Sequence, residues 1–347
     1  MVSRILTPAE KDALVRFDIE GRGPHVESLF IKLNLPDARA LWLKLTFLRR
    51  SFGAKEAVVE AWAMAFNLGN FDGTDPHLAL KKTWPASEAE IAPNCLYVRV
   101  GSIVLGQGRA EGELVDDATG ETVQWDLSFT SEPEGFRHLP HDWMYEGGIP
   151  KSKANSPQLD SRFTGSVCIN GITTEFKDAP GMLGHNWGTQ HAEDWTWVHC
   201  NQWTGVEGVV FEGVTSKVKM GPMTTPRLTV LHLRLPGERL TLNGLWQLVR
   251  TKSHPEGLKW TFRGQRGDRR IEGAFSAPPD RFVGVDYHDP DGRVAHCLNT
   301  KIADGAIVLY GRGSKGWEQL MAATCDRSAA LEIGSRDDTF DVPIRIR

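Results

Sequence analysis

Residues 181–203 read Gly-Met-Leu-Gly-His-Asn-Trp-Gly-Thr-Gln-His-Ala-Glu-Asp-Trp-Thr-Trp-Val-His-Cys-Asn-Gln-Trp. Trp195, Trp197, His199, Asn201 and Trp203 occupy every second position near its end. Successive side chains of an extended strand point to opposite faces, so the pattern predicts a strand over 195–203 with these five on one surface. Broad apolar rings interrupted by two hydrogen-bonding groups suit a pocket for a large, mostly apolar molecule. If the segment is ordinary core instead, His199 and Asn201 must each find a buried partner.

The rest of the chain is written in the same style. Turn signals recur about every 10 to 15 residues, the spacing of a strand-rich protein. One helix is signalled: Thr7-Pro8-Ala9-Glu10 offers an N-cap, a first-turn Pro and a capping-box Glu, and the helix is expected to run to about Arg16. Residues 28–35 and 38–48, split by Pro36-Asp37, predict a hairpin. Segments 57–66, 96–105, 109–115 and 122–130 continue the alternation, and 131–161 reads as a connection. The second half is expected to hold strands at 162–167, 173–176, 195–203, 209–219, 227–235, 245–251, 258–263, 270–274 and 282–287, then 293–302 and 306–310 joined through Ala303-Asp304-Gly305. Two groups of roughly eight strands imply an all-β protein of two antiparallel barrels. The expected domains are 1–150 and 151–347.

Several function classes are disfavoured. The 347-residue chain carries a net charge of −4, and its basic runs are short (Arg49-Arg50, Lys81-Lys82, Arg269-Arg270), so no nucleic-acid partner is expected. No stretch approaches the roughly 20 apolar residues that span a bilayer, and residues 1–16 lack the apolar region of a signal peptide. Peripheral membrane contact stays open. The five single cysteines, Cys95, Cys168, Cys200, Cys297 and Cys325, form no Cys-x-x-Cys pair and fit a reducing cytoplasm. His185, His191 and His199 lie within fifteen residues, but their spacing does not force convergence, so no metal is expected. There is no phosphate-binding Gly-x-x-x-x-Gly-Lys motif and no Gly-x-Ser-x-Gly elbow.

Three stretches carry a resemblance to a known family. They are 27–48 with Trp42, the approach from Pro150-Lys151-Ser152-Lys153 to Gly165, and above all Gly184-His185-Asn186-Trp187-Gly188 followed by the Trp195 strand. In these the chain resembles the lipocalin-like superfamily of carotenoid 1,2-hydratases, tocopherol cyclases and related Diels–Alderases. The resemblance implies two lipocalin-like antiparallel β-barrels packed together, a hydrophobic cavity, and chemistry on extended apolar molecules without a metal or organic cofactor. Family members often show Asp-His-x-Trp-Gly at this point; here Gly184 stands in place of the acid.

Protonating an alkene needs an acid, a dry pocket and a way to stabilise a cation. Indole faces supply the last, at roughly 0.5 to 2 kcal/mol per contact. The candidate catalytic residues are His185 and His199, suited to proton transfer near neutral pH, with Glu193 and Asp194 as orienting or protonated carboxyls. Trp187, Trp195, Trp197 and Trp203 would line the substrate, and Asn186 and Asn201 would hold its polar end. A second cluster, His138, His141, Asp142, Trp143 and Tyr145, precedes Lys151 and Lys153 and reads as a connector or lid, the lysines as surface charges. The expected function is a cofactor-independent hydratase, cyclase or isomerase acting on a hydrophobic terpenoid, polyene or polyketide-like molecule. The alternative is a non-catalytic carrier of a lipid-like ligand.

Overall fold

The computed structural model describes residues 5–51, 57–69, 75–220, 223–337 and 340–347. They form two compact units: Met1–Arg137 with Lys151–Gln190 and His288–Arg293, and His138–Pro150 with His191–Tyr287 and Val294–Arg347. Each is built on one large curled sheet.

The first unit opens with α1 (Pro8–Asp12) and continues through β1 (His25–Leu35), β2 (Arg39–Arg49), β3 (Val58–Phe66), β4 (His77–Pro85), β5 (Glu90–Ile91) and β6 (Tyr97–Val100). Then follow β7 (Ile103–Gly106), β8 (Arg109–Val115), β9 (Thr122–Phe129), β10 (Phe136–Arg137), β11 (Ser152–Ile169) and β12 (Ile172–Gly188). The sheet order is β4-β3-β2-β1-β12-β11-β9-β8-β7-β6-β5, with β10 beside β11. Its strands pair antiparallel, and the sheet curls until β3 and β4 approach β8. The enclosed face is apolar, with Leu29, Ile31, Leu33, Leu127, Phe163 and Leu183 among its buried residues. A void of about 20 Å³ remains beside Leu29, Leu45, Ile103 and Trp125, room for about one water.

The second unit contains α2 (Trp143–Glu146), β13 (Asp194–Cys200), β14 (Val210–Lys217), β15 (Lys219–Met220), β16 (Met223–Thr224), β17 (Leu228–Leu235), β18 (Glu238–Leu242) and α3 (Leu245–Arg250). It continues with β19 (Lys252–Glu256), β20 (Lys259–Arg266), β21 (Arg269–Ser276), β22 (Val283–His288), β23 (Val294–Gly313), β24 (Gly316–Ser335) and β25 (Ile344–Ile346). The order is β18-β17-β14-β13-β24-β23-β21-β20-β19, with β22 beside β23 and β25 beside β22. Val198, Cys200, Trp203, Phe211, Trp260 and Phe275 belong to its core, where Phe211 stacks on Phe262 and Phe275 at 5.0 and 5.4 Å.

The all-β reading and the short capped helix hold, and the capping box of Thr7 and Glu10 is formed. The helix ends at Asp12 rather than near Arg16, because tertiary partners take its last bonds. The Asp12 carbonyl accepts from His185 Nδ1, and the Arg16 N–H donates to Glu27. The division at 150/151 is corrected: β11 and β12 pair with β9 and β1, so the first sheet runs to Gly188. Residues 245–251 form α3 instead of a strand, the expected break at Ala303-Asp304-Gly305 lies inside the continuous β23, and 96–105 splits into β6 and β7 at the left-handed Gly101.

Gly184 has a packing reason. It lies directly opposite Phe30 on β1, and a Cβ there would overlap the Phe30 ring. The position where the resemblance leads one to expect an acid thus packs against an aromatic side chain. We predict that Gly184→Ala lowers the unfolding free energy by about 1–3 kcal/mol through overpacking. Adding Phe30→Leu should recover part of the loss, read from urea midpoints.

Candidate functional site

His185 and Trp187 lie on the β12 face that looks into the first barrel, where α1 closes one end. Three groups converge on the fully buried Glu27 carboxylate. His185 Nε2 donates to Oε1 at 2.8 Å, the Arg16 N–H donates to Oε1 at 2.8 Å, and His25 Nε2 bonds Oε2 at 2.9 Å. His185 Nδ1 donates to the Asp12 carbonyl at 2.7 Å, so its ring faces acceptors on both sides. Burial alone would raise the Glu27 pKa, but the hydrogen bonds from His185, His25 and Arg16 and the His185 charge hold it at about 2. The Asp12 carboxylate is gripped by Arg137, and the Arg16 guanidinium stacks 4.1 Å over Trp187. His185 is therefore an anchor for the N-terminal segment, and Trp187 part of the same closure. Asn186 is half-buried on the opposite face of β12. Lys153, expected at the surface, is buried, and burial and nearby Arg16 lower its pKa.

The second unit holds a different cluster. On β13, Trp195, Trp197 and His199 share the face turned away from Val198 and Cys200, as the alternation requires. Register then continues the row across neighbouring strands. His199 lies opposite Glu212 on β14, Glu212 opposite His232 on β17, and His232 opposite Thr241 on β18. One carboxylate therefore stands between two cross-strand imidazoles. A third comes from the segment before α2: His138 Nε2 lies 3.0 Å from Glu212 Oε1. The Trp197 indole N–H donates to that same oxygen at 2.8 Å. Glu212 is fully buried, which pushes its pKa up, yet His138, His199 and the Trp197 N–H outweigh burial and hold it at about 2. A carboxylate only accepts, so this contact has the His138 Nε2–H as its donor.

A second pole lies one row away. Trp197 is opposite Glu332 on β24, and Glu332 opposite Asn299 on β23. The buried Lys301 ammonium donates to Glu332 at 2.8 Å and to Asn299, and it stands 5.3 Å over the Trp197 ring. Burial lowers its pKa while Glu332 opposes that shift. Trp197 thus separates an imidazole–carboxylate group from an ammonium–carboxylate group, with His199 stacked on it at 6.3 Å. Trp195 extends the face through a stack with His191 and Tyr287.

The structure does not assemble the expected site as a whole. His185 and His199 belong to different units. The β13 strand ends at Cys200, so Asn201 and Trp203 leave the alternation. Trp203 turns into the core beside Phe275, with its indole N–H on the Val209 carbonyl. Asp194 lies on the opposite face from His199, clamped by Arg227 and Lys217, and Glu193 precedes the strand with its backbone paired to Lys217. Glu212, His232, Asn299, Lys301 and Glu332 had no motif to announce them; period-two alternation around a charged residue was the available signal. Among the described residues, no group of three His, Cys, Asp or Glu is arranged to hold a metal ion.

A sequence profile described as tocopherol cyclase-like matches residues 159–335, just over half of the chain. The chain belongs to the tocopherol cyclase-like family. The matched stretch contains the site residues on β13, β14, β17, β23 and β24; His138 lies before it. Two records of an uncharacterised protein from strains of Mycobacterium tuberculosis are 31% identical over 151 residues, 43% of this chain and 45% of theirs. The match thus spans less than half the length of these curated relatives. Among solved structures, a putative AttH from Nitrosomonas europaea is similar at 14% identity and TM-score 0.51, covering 95% of this chain and 99% of its own. CghA is similar at 12% identity and TM-score 0.54, covering 96% and 94%. At these identities the likeness is one of fold.

The buried acid–base groups of this family member give a signed pH dependence. His232 is lowered from 6.5 to about 4, chiefly by burial, so between those values the unfolded chain binds the extra proton and stability falls as pH falls. That gap is worth about 3 kcal/mol. Glu27 and Glu212, lowered from 4.5 to about 2, add stability above pH 4.5 that is lost as pH drops toward 2. Thermal midpoints should fall in two stages on acidification, and His232→Gln should flatten only the upper one. Glu27→Gln, which breaks a buried pair, should cost about 3–5 kcal/mol in urea unfolding at neutral pH.

Proposed function

We infer that this tocopherol cyclase-like protein is a hydratase- or cyclase-type enzyme acting on an unsaturated, largely apolar small molecule. The supporting observation is the buried Glu212 carboxylate, bonded to both His138 and Trp197 and flanked in register by His199 and His232. Such a group serves proton transfer. Glu212 fixes the His138 ring with its proton on Nε2 and stabilises the imidazolium formed when Nδ1 is also protonated. His138 then passes the Nδ1 proton to a substrate double bond. The cation formed lies by the Trp197 face, and water or a substrate hydroxyl adds to it, releasing a proton that returns to His138. His199, stacked on Trp197, is the second proton-handling group, and Asn201 is retained as a candidate polar contact. His185, Trp187, Asp194 and Trp203 are left to structure.

The apolar substrate class is part of this proposal. It is tested by incubating the purified protein in D2O with a panel of polyenes, prenylated quinols and terpenoids. Mass spectrometry would read carbon-bound deuterium or addition of D2O. Wild type is expected to turn over at least one compound, His138→Asn and Glu212→Gln to fall by about 10²–10⁴-fold, and Trp197→Phe to fall less. Turnover that survives Glu212→Gln sinks the assignment. A compound retained without deuterium incorporation by every variant would instead favour the carrier reading, which the aromatic filling at Gly184 also suits.

A further inference from the structure

One rim of the second unit presents apolar side chains to solvent. The six-residue α3 buries Leu248 and turns Leu245, Trp246 and Val249 outward at 56%, 72% and 55% exposure. Arg250 stands 5.4 Å over the Trp246 ring, and the next strand begins with exposed Lys252, paired opposite Arg263. Helix α3 packs on β17 and β20. At the end of β20 the Arg266 guanidinium donates to the Thr241 carbonyl at 2.9 Å, just before the chain enters α3. The turn after Arg266 is tied to the β23–β24 hairpin by the Arg312 N–H on the Asp268 carbonyl, which brings Arg312 and Lys315 to the same rim.

The acids at this rim are largely spent. Glu238 and Asp268 pair with Arg269, and Glu272 pairs with Arg263 and Arg270. Among the described residues, Arg250, Lys252, Arg266, Arg312 and Lys315 make no ion pair, and Glu318 lies beside Gly313 in the β23–β24 hairpin. An exposed indole flanked by aliphatic side chains and ringed by unpaired cations matches the chemistry of an anionic bilayer surface. Indole settles at the headgroup level, aliphatic side chains enter the acyl boundary, and Arg and Lys meet lipid phosphates. A second copy of this chain fits poorly, because a two-fold contact would set the same cations against each other.

We propose that the α3 rim docks this protein on an anionic phospholipid surface, from which an apolar substrate or ligand would be taken. The proposal stands on the rim and is independent of the chemistry at Glu212. The test is co-sedimentation of the full chain with phosphatidylcholine vesicles, with and without phosphatidylglycerol, at low and high salt. Wild type is expected to sediment with the phosphatidylglycerol vesicles and to be released by salt. Leu245→Ser with Trp246→Ser, and separately Arg250→Glu with Lys252→Glu, should each weaken partitioning by roughly tenfold or more. Circular dichroism and urea midpoints should match wild type, since these side chains are exposed. Wild type that ignores anionic vesicles, or variants that bind as well as wild type, would overturn the proposal. So would equal binding to pure phosphatidylcholine.

Discussion

The Glu212 carboxylate is buried and still ionised, and the arrangement of the second unit follows from what that requires. An ion in a low-dielectric interior must be met by donors and opposite charge. The protein meets Glu212 with the Trp197 indole, the His138 imidazole and two cross-strand histidines. The solution constrains distant pieces of chain. It needs β14 in register with β13 and β17, and it needs the segment before α2 returned to the sheet so that His138 can reach in. A one-residue slip of any of these strands would turn its polar residue into the apolar core and its core residue outward.

The first unit solves a similar problem by similar means. Glu27 is another buried carboxylate held at about 2, and its partners also come from a neighbouring strand and from a connecting segment. There the result is closure: α1 is locked by His185 on its last carbonyl and by Arg137 on its last side chain. The contrast lies in the surroundings. Glu27 accepts from groups whose positions are set by backbone and helix end. Glu212 is surrounded by imidazoles and indoles, with a lysine–carboxylate pair across Trp197. The one ties down a helix end, and the other gathers several titratable side chains around one buried carboxylate.

Glycine and aromatic residues complete this division of labour. Phe30 over Gly184, Trp195 over Gly334 and Phe275 over Gly305 each occupy the space of a missing Cβ, so large rings lie flat on the sheets. In the first barrel a water-sized void lies beside Leu29 and Trp125. In the second unit the buried polar rows run on the face turned away from the barrel core.

Alternation and turn residues determined much of this protein by themselves. Strand character, the Pro36-Asp37 hairpin, the capped first helix and the aromatic face of β13 through His199 all follow from local rules of backbone geometry. The family resemblance at residues 184–188 was equally legible. Local pattern could not distinguish α3 from a strand, since a short apolar run fits both periods. Nor could it place β11 and β12, whose partners β9 and β1 are remote in sequence. The candidate site was legible only in part for the same reason. Trp197 and His199 announce themselves by spacing, whereas Glu212, Lys301 and Glu332 are isolated charges in sequence and become a site only through register; His138 sits in a cluster whose sequence reads only as a connector or lid. Tertiary structure alone decided that His185 serves a latch while His199 faces a buried acid, because burial and partner choice are properties of strands brought together across the chain.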